Sequence, residues 1–210
     1  MIHRIIFYLD LIAPLLVLTA AVLFFLVKKR RISYNDYLIL LFLIWQAILN
    51  GAAPILQSLQ INNHFLYHFN CLVSVTIFSA YFYFSLSRKR IVLSGFLLFF
   101  AFWCFNMIFI QPYYEFNSYS YALAALLIVG FSLYNFHQLI THLPSSNILT
   151  LKGFWILAAL LTYFGSSFFI FITYNYLSEF DPQNVGILWR THNVFLFAAS
   201  LIFLKALTCK

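Results

Sequence analysis

Residues 88–110 read RKRIVLSGFLLFFAFWCFNMIFI, which is three consecutive cations followed by twenty residues without a charge. As a helix, such a run is roughly 30 Å long, about the thickness of the hydrocarbon core of a bilayer. Backbone polar groups in that core must bond to one another, so a helix is the expected structure. The stretch therefore predicts a membrane-spanning helix with its basic end at one membrane surface.

Comparable apolar runs recur along all 210 residues. The predicted spans cover about 5–27, 36–56, 65–86, 91–111, 119–140, 153–177 and 186–206. Only 8% of the residues are charged, whereas soluble domains carry about 25%. The sequence thus predicts an all-α polytopic membrane protein, a single domain of seven transmembrane helices over residues 1–210. No stretch remains for a separate soluble domain.

The formal charge of +7 is distributed according to the membrane and does not indicate a nucleic-acid partner. Ten of the twelve Lys and Arg residues fall on one predicted side, at Lys28–Arg31, Arg88–Arg90, Lys152, Lys205 and Lys210. By the positive-inside rule this side is cytoplasmic. The N-terminus is then expected outside and the C-terminus inside, in the cytoplasmic (inner) membrane of a bacterium.

Tyrosine and tryptophan side chains gather near several predicted span ends, including Tyr174 and Trp189. Amphipathic rings of this kind are enriched at the level of the lipid headgroups. We therefore expect them to anchor the helices at the interface.

Polar side chains inside the spans concentrate toward the predicted outer ends, while the inner halves are mostly Leu, Phe, Ala and Val. Such groups are costly in hydrocarbon and indicate function by default. The candidate ligand-binding residues are Asp10, Asn50, His68, Asn106, Asn117, Arg190, His192 and Asn193. Together they predict an outward-facing polar pocket, with Asp10 as the charge partner of Arg190. The alternative is that they only tie helices together by hydrogen bonds.

Three histidines raise the possibility of a metal. His64 and His68 are spaced i, i+4 and share a helix face, and His192 could complete three nitrogen ligands with a fourth position for water. That arrangement is typical of catalytic zinc and would make the protein an intramembrane metal-dependent hydrolase. The favoured assignment is simpler, with His64 at the surface and His68 hydrogen-bonded in the core. The small residues Gly165, Ser166 and Ser167 are assigned to helix packing, since a serine nucleophile needs a base in reach.

Five short segments carry a resemblance to a known group. They are LYHFN at 66–70, FNSYS at 116–120, FW at 154–155, YFGSS at 163–167 and LWRTHN at 188–193. In these segments the chain resembles a group of small, largely uncharacterised seven-span membrane proteins of Bacteroidetes. That resemblance implies the seven-helix fold but no reaction. Members often carry an acidic residue six positions after the LYH histidine, where this chain has Ser74.

Taken together, the pattern favours a sensor or an accessory membrane subunit that binds a small ligand or a partner helix. Besides the lipid bilayer, the expected partner is another membrane protein. An enzyme is not favoured, because no complete catalytic set is evident. A transporter is a further alternative, disfavoured by the apolar inner halves; helices interrupted at Pro14 or Pro54 would support it.

Overall fold

The computed structural model describes residues 15–23, 26, 33–142, 147–207 and 209. Regular structure in this part of the chain is entirely helical. The helices are α1 (15–23), α2 (Tyr34–Ser58), α3 (His64–Ser85), α4 (Lys89–Phe105), α5 (Ser118–Thr141), α6 (Lys152–Phe180) and α7 (Val185–Leu207). Six of them, α2 to α7, are long and apolar enough to cross a membrane. The predicted helical membrane protein is confirmed to that extent, with helix ends within a few residues of the predicted spans.

Helix α2 begins at a reciprocal cap. The Ser33 hydroxyl accepts a hydrogen bond from the Asp36 N–H at 3.2 Å, and the Asp36 carboxylate accepts one from the Ser33 N–H at 3.3 Å. The other carboxylate oxygen of Asp36 lies 2.7 Å from Lys152 Nζ at the start of α6. This ion pair joins α2 to α6 at one end of the bundle.

Phenylalanine side chains fill the middle of the bundle. Phe42 of α2 contacts Phe78 of α3 with ring centroids 4.7 Å apart, and Phe78 contacts Phe164 of α6 at 5.4 Å. Phe203 of α7 lies 6.4 Å from Phe42, and all four rings are buried. Tilted aromatic pairs at these distances stabilise beyond their buried area. We name Phe42, Phe78, Phe164 and Phe203 the phenylalanine plug.

Proline does not interrupt α2, which runs unbroken through Pro54 to Ser58. Proline inside a helix removes one intrahelical N–H···O=C bond, and four residues of helix still follow Pro54. Pro14 lies outside the described residues. The interruption that would support a transporter is therefore not found at Pro54.

The end of α4 changes to a π-helix over Asn106–Ile110, closed by a bond from the Gln111 N–H to the Asn106 carbonyl at 2.7 Å. Helix α6 makes its most extensive contacts with α5 and α7, while α3 contacts α2, α4 and α5. Beyond the phenylalanine plug, away from the Asp36–Lys152 ion pair, the ends of α2, α3, α5, α6 and α7 enclose a cavity.

Candidate ligand-binding site

The cavity has a volume of about 860 Å³ and lies at the end of the bundle that contains the α2–α3 loop. This size is in the range of pockets that bind drug-sized molecules. Its wall comprises Gln46, Leu49, Asn50, Ala53, Pro54, Gln57, Gln60, Ile61, Asn62, Asn63, His64, Tyr67, Asn70, Tyr121, Phe171, Tyr174, Gly186, Trp189, Arg190, His192, Asn193 and Leu196.

The cavity wall is rich in hydrogen-bonding side chains and aromatic rings. Eight amide side chains, five aromatic rings, two histidines and the guanidinium of Arg190 line it, and no carboxylate of the described residues does. Amides both donate and accept hydrogen bonds, and aromatic rings offer flat apolar surfaces. The wall therefore suits a small ligand with many hydrogen-bonding groups.

A three-helix hydrogen-bond network forms one side of the cavity and centres on Asn70 of α3. Its side-chain oxygen accepts from Trp45 Nε1 at 2.8 Å and from Gln46 Nε2 at 3.0 Å. Its amide nitrogen donates to the Tyr121 hydroxyl of α5 at 2.6 Å. Asn70 thus uses three bonds to fix α2, α3 and α5 relative to one another beside the cavity.

His192 of α7 is held by two residues of α6. Its Nδ1 lies 3.2 Å from Ser167 Oγ, and its Nε2 lies 3.2 Å from the Tyr163 hydroxyl. Ser167 has a single hydroxyl proton, which it donates to the Tyr163 carbonyl at 2.6 Å. In the neutral imidazole, Nδ1–H therefore donates to Ser167 Oγ, and Nε2 accepts from Tyr163.

The contacts of His192 concern two assignments made from the sequence, namely Ser167 in helix packing and His192 as a metal ligand. A histidine does reach Ser167, but the serine proton is directed to a backbone carbonyl, and Ser167 is 1% exposed. The contact is a packing interaction between α6 and α7. Both nitrogens of His192 are also occupied, so a metal bound there would have to displace Tyr163 or Ser167.

His64 and His68 do share one face of α3, as their spacing predicts, and that face holds the α4–α5 loop. His64 Nδ1 bonds to the Tyr114 carbonyl at 2.9 Å, and His68 Nε2 bonds to the Glu115 carbonyl at 3.0 Å. Because a carbonyl only accepts, each contacting nitrogen carries the proton. Among the described residues no group of three or more His, Cys, Asp or Glu side chains is arranged to hold a metal ion.

Asn106 belongs to a second polar cluster, separate from the cavity. Its Nδ2 donates to Ser120 Oγ at 2.9 Å and to Gln111 Oε1 at 3.1 Å. Gln111 donates to Ser118 Oγ at 2.9 Å, and Ser118 donates to Asn175 Oδ1 of α6 at 2.8 Å. This chain of bonds joins the end of α4 to α5 and α6, which is the structural role considered for Asn106.

Arg190 lies on the cavity wall one helical turn after Gly186 and is half-buried. The ion pair between Lys152 and Asp36 is the single salt bridge among the described residues, so no described carboxylate neutralises Arg190. Asp10, its expected partner, lies outside the described residues.

The structure thus divides the predicted site residues into two groups. Asn50, His64, Arg190, His192 and Asn193 line the cavity. The remaining described ones are His68, Asn106 and Asn117, which are fully buried outside the cavity wall. Neither side-chain polar atom of Asn117 has a hydrogen-bond partner among the described residues.

Two aromatic residues near helix ends, Tyr174 and Trp189, belong to the cavity wall. Trp189 and Tyr174 line the cavity, and both pack on Phe116, with ring centroids 5.0 and 4.4 Å from it. Both rings therefore face the interior of the bundle, and an anchoring role at the interface stays a prediction. Closeness to a helix end does not distinguish a ring that faces lipid from one that faces the bundle.

Sequence reasoning also missed the polar face of α2. Gln46, Asn50 and Gln57 recur at helical spacing together with Ala53, and all four line the cavity. Polar residues spaced i, i+4 and i+11 lie on one side of a helix. That helical spacing of amide residues is the signal in the sequence that predicts this polar face.

Comparison with known proteins yields no match, whether to a protein-family model, to a curated protein or to a solved structure.

Proposed function

We propose that this protein is a seven-span membrane protein whose cavity binds a small polar ligand from the outer side, and that it acts as a sensor or an accessory membrane subunit. The observation that carries the proposal is the composition of the cavity wall. Amides, aromatic rings and one guanidinium converge from five helices at one end of the bundle. Apolar side chains at the same positions would have closed that end. Polar groups are costly in a membrane protein unless something uses them.

A closed inner half favours binding over transport. The phenylalanine plug lies between the cavity and the Asp36–Lys152 end, and its rings contact one another across α2, α3, α6 and α7. A transporter would need this region to open, as helices broken at midplane allow in known transporter folds. An α2 helix that is unbroken at Pro54 and an aromatic plug fit a receptor better.

We also propose kinship with the seven-span group of Bacteroidetes, since three of the five segments that suggested it meet at the cavity or at His192. Trp189, Arg190, His192 and Asn193 from LWRTHN line it, as do Tyr67 and Asn70 from LYHFN. Tyr163 and Ser167 from YFGSS hold His192. Residues that build one site depend on one another, so we expect them to occur together in related proteins.

The proposed orientation places the cavity outside and the basic segments in the cytoplasm, and it is tested by labelling. In a chain with Cys104 and Cys209 changed to serine, Gln60→Cys in the α2–α3 loop should react with an impermeant maleimide from outside intact cells. Lys210→Cys should react only after the membrane is opened. The reverse pattern would overturn the orientation.

The ligand proposal is tested with two glycines that accept the same change. A Cβ added at Gly186 or at Gly130 meets no atom within 4 Å, and neither glycine has a positive φ. Gly186 lines the cavity, whereas Gly130 is exposed on α5. Gly186→Phe therefore adds a ring at the cavity wall, and Gly130→Phe is the matched control.

Native mass spectrometry of protein extracted in mild detergent provides the measurement. Wild type and Gly130→Phe should retain the same small molecule, and Gly186→Phe should lose it while remaining folded. Equal retention by both variants, or a wild-type protein that carries no small molecule from its native membrane, would contradict the proposal.

A further inference from the structure

A second concave surface lies on the outside of the bundle, between α3 and α4. It is a groove of about 350 Å³ whose wall comprises Thr76, Ser79, Ala80, Tyr83, Phe84, Val92, Leu93 and Phe96. The groove is hollow because the α3 side chains of Thr76, Ser79 and Ala80 are small. The larger rings of Tyr83, Phe84 and Phe96 border it. From Thr76 to Tyr83 the groove follows α3 for about 10 Å, since each helical residue rises about 1.5 Å. Its apolar wall and position on a membrane-facing surface suit a hydrocarbon chain.

Positive charge stands at one end of this groove. Arg88, Lys89 and Arg90 are all exposed at the turn between α3 and α4. Lys89 Nζ lies 5.1 Å from the ring centroid of Tyr83, which is itself part of the groove wall. No described carboxylate pairs with these cations, because the only salt bridge among the described residues joins Lys152 and Asp36.

The backbone adds to this charge. Helix α4 begins at Lys89, and no side chain in the part of the chain that the structure describes caps its N-terminus. The neighbouring Ser87 hydroxyl accepts a hydrogen bond from Gln138 Nε2 at 2.6 Å and does not cap the helix. Uncapped N–H groups at a helix start favour a bound anion, and in this protein they lie next to the three cations Arg88, Lys89 and Arg90.

From this juxtaposition we propose that the α3–α4 groove binds an anionic phospholipid, with an acyl chain along Thr76, Ala80 and Phe96 and its phosphate at Arg88–Arg90. Under the orientation proposed above, this lipid belongs to the inner leaflet. An anionic headgroup complements the three cations, whereas a zwitterionic headgroup brings its own positive charge to them. The site is independent of the cavity, which lies at the opposite end of the bundle.

Binding is measured by titrating the purified full chain with phosphatidylglycerol or phosphatidylcholine and counting bound lipids by native mass spectrometry. The charge test compares two lysines that each lie over an aromatic ring. Lys89 is at the groove, and Lys205 Nζ lies 5.8 Å from the Trp155 centroid on other helices. Lys89→Gln should weaken phosphatidylglycerol binding on the order of fivefold, and Lys205→Gln should leave it unchanged. Neutralising Arg88, Lys89 and Arg90 together should weaken it on the order of 100-fold.

The groove test compares two exposed threonines in the same local setting. Thr76 Oγ1 donates to the Leu72 carbonyl and Thr173 Oγ1 to the Phe169 carbonyl, both at 2.8 Å. Thr76→Phe occupies the groove, while Thr173→Phe adds the same ring on α6. Thr76→Phe should abolish selective phosphatidylglycerol binding, and Thr173→Phe should retain it.

Three results would overturn the proposal. The first is equal affinity for the two lipids, and the second is equal loss in Lys89→Gln and Lys205→Gln. The third is a dimer that Thr76→Phe dissociates with no change in bound lipid, which would assign the groove to a second copy of the chain.

Discussion

Replacing Asn70 by leucine tests whether the polar network beside the cavity holds the bundle together. The change removes the acceptor for Trp45 Nε1 and Gln46 Nε2 and the donor to the Tyr121 hydroxyl. An interhelical hydrogen bond in a membrane protein contributes about 0.6 kcal/mol on average and at most about 1.7. Loss of three such bonds should therefore lower the free energy of unfolding by about 2 to 5 kcal/mol.

Asn50→Leu is the matched control for this change. Asn50 also lies on the cavity wall, but its Nδ2 donates only to the Gln46 carbonyl of its own helix, at 2.8 Å. Removing that bond breaks no link between helices. We expect the free energy of unfolding to fall by less than about 1 kcal/mol.

The measurement is reversible unfolding of each purified variant with increasing SDS in mild-detergent micelles, followed by tryptophan fluorescence. In a double-mutant cycle, Trp45→Phe should cost less in the Asn70→Leu background than in wild type, because its indole partner is already absent. If Asn70→Leu and Asn50→Leu destabilise the protein equally, within about 0.5 kcal/mol, the network does not hold the helices together.

Three further measurements test contacts described or expected above. Lys152→Met leaves the 1%-exposed Asp36 carboxylate unpaired and should lower the free energy of unfolding by about 1 to 3 kcal/mol; an unchanged value would contradict this. If Asp10 pairs with Arg190, the Asp10→Asn and Arg190→Gln changes should be non-additive, and the double variant should recover part of the lost folded yield; additive losses would exclude the pair. Metal analysis should find no stoichiometric zinc in purified protein, because both nitrogens of His192 are engaged. One equivalent of zinc lost in His192→Ala would favour the hydrolase instead.

Composition alone determined the helical membrane architecture. Backbone groups in hydrocarbon must satisfy one another, so an apolar run of twenty residues has no alternative to a helix, whatever surrounds it. For this reason α2 to α7 begin and end within a few residues of the predicted spans. The inward orientation of polar side chains was predictable on the same ground: His68, Asn106 and His192 are buried, and Asn50, Arg190 and Asn193 face the cavity.

Which polar residues share a site was decided only by tertiary structure. Depth in the membrane follows from position in the chain, but rotation of each helix and its choice of neighbours depend on packing with the others. Asn50 and Asn106 both lie toward the predicted outer ends of their spans, yet α2 directs Asn50 to the cavity and the π-helix after α4 directs Asn106 to Gln111 and Ser120. The helical spacing of the polar residues of α2 was visible in the sequence, while the hydrogen bond from Gln46 to Asn70 of α3 was not. Contacts between residues far apart in sequence come from the packing of whole helices, and no local pattern encodes them.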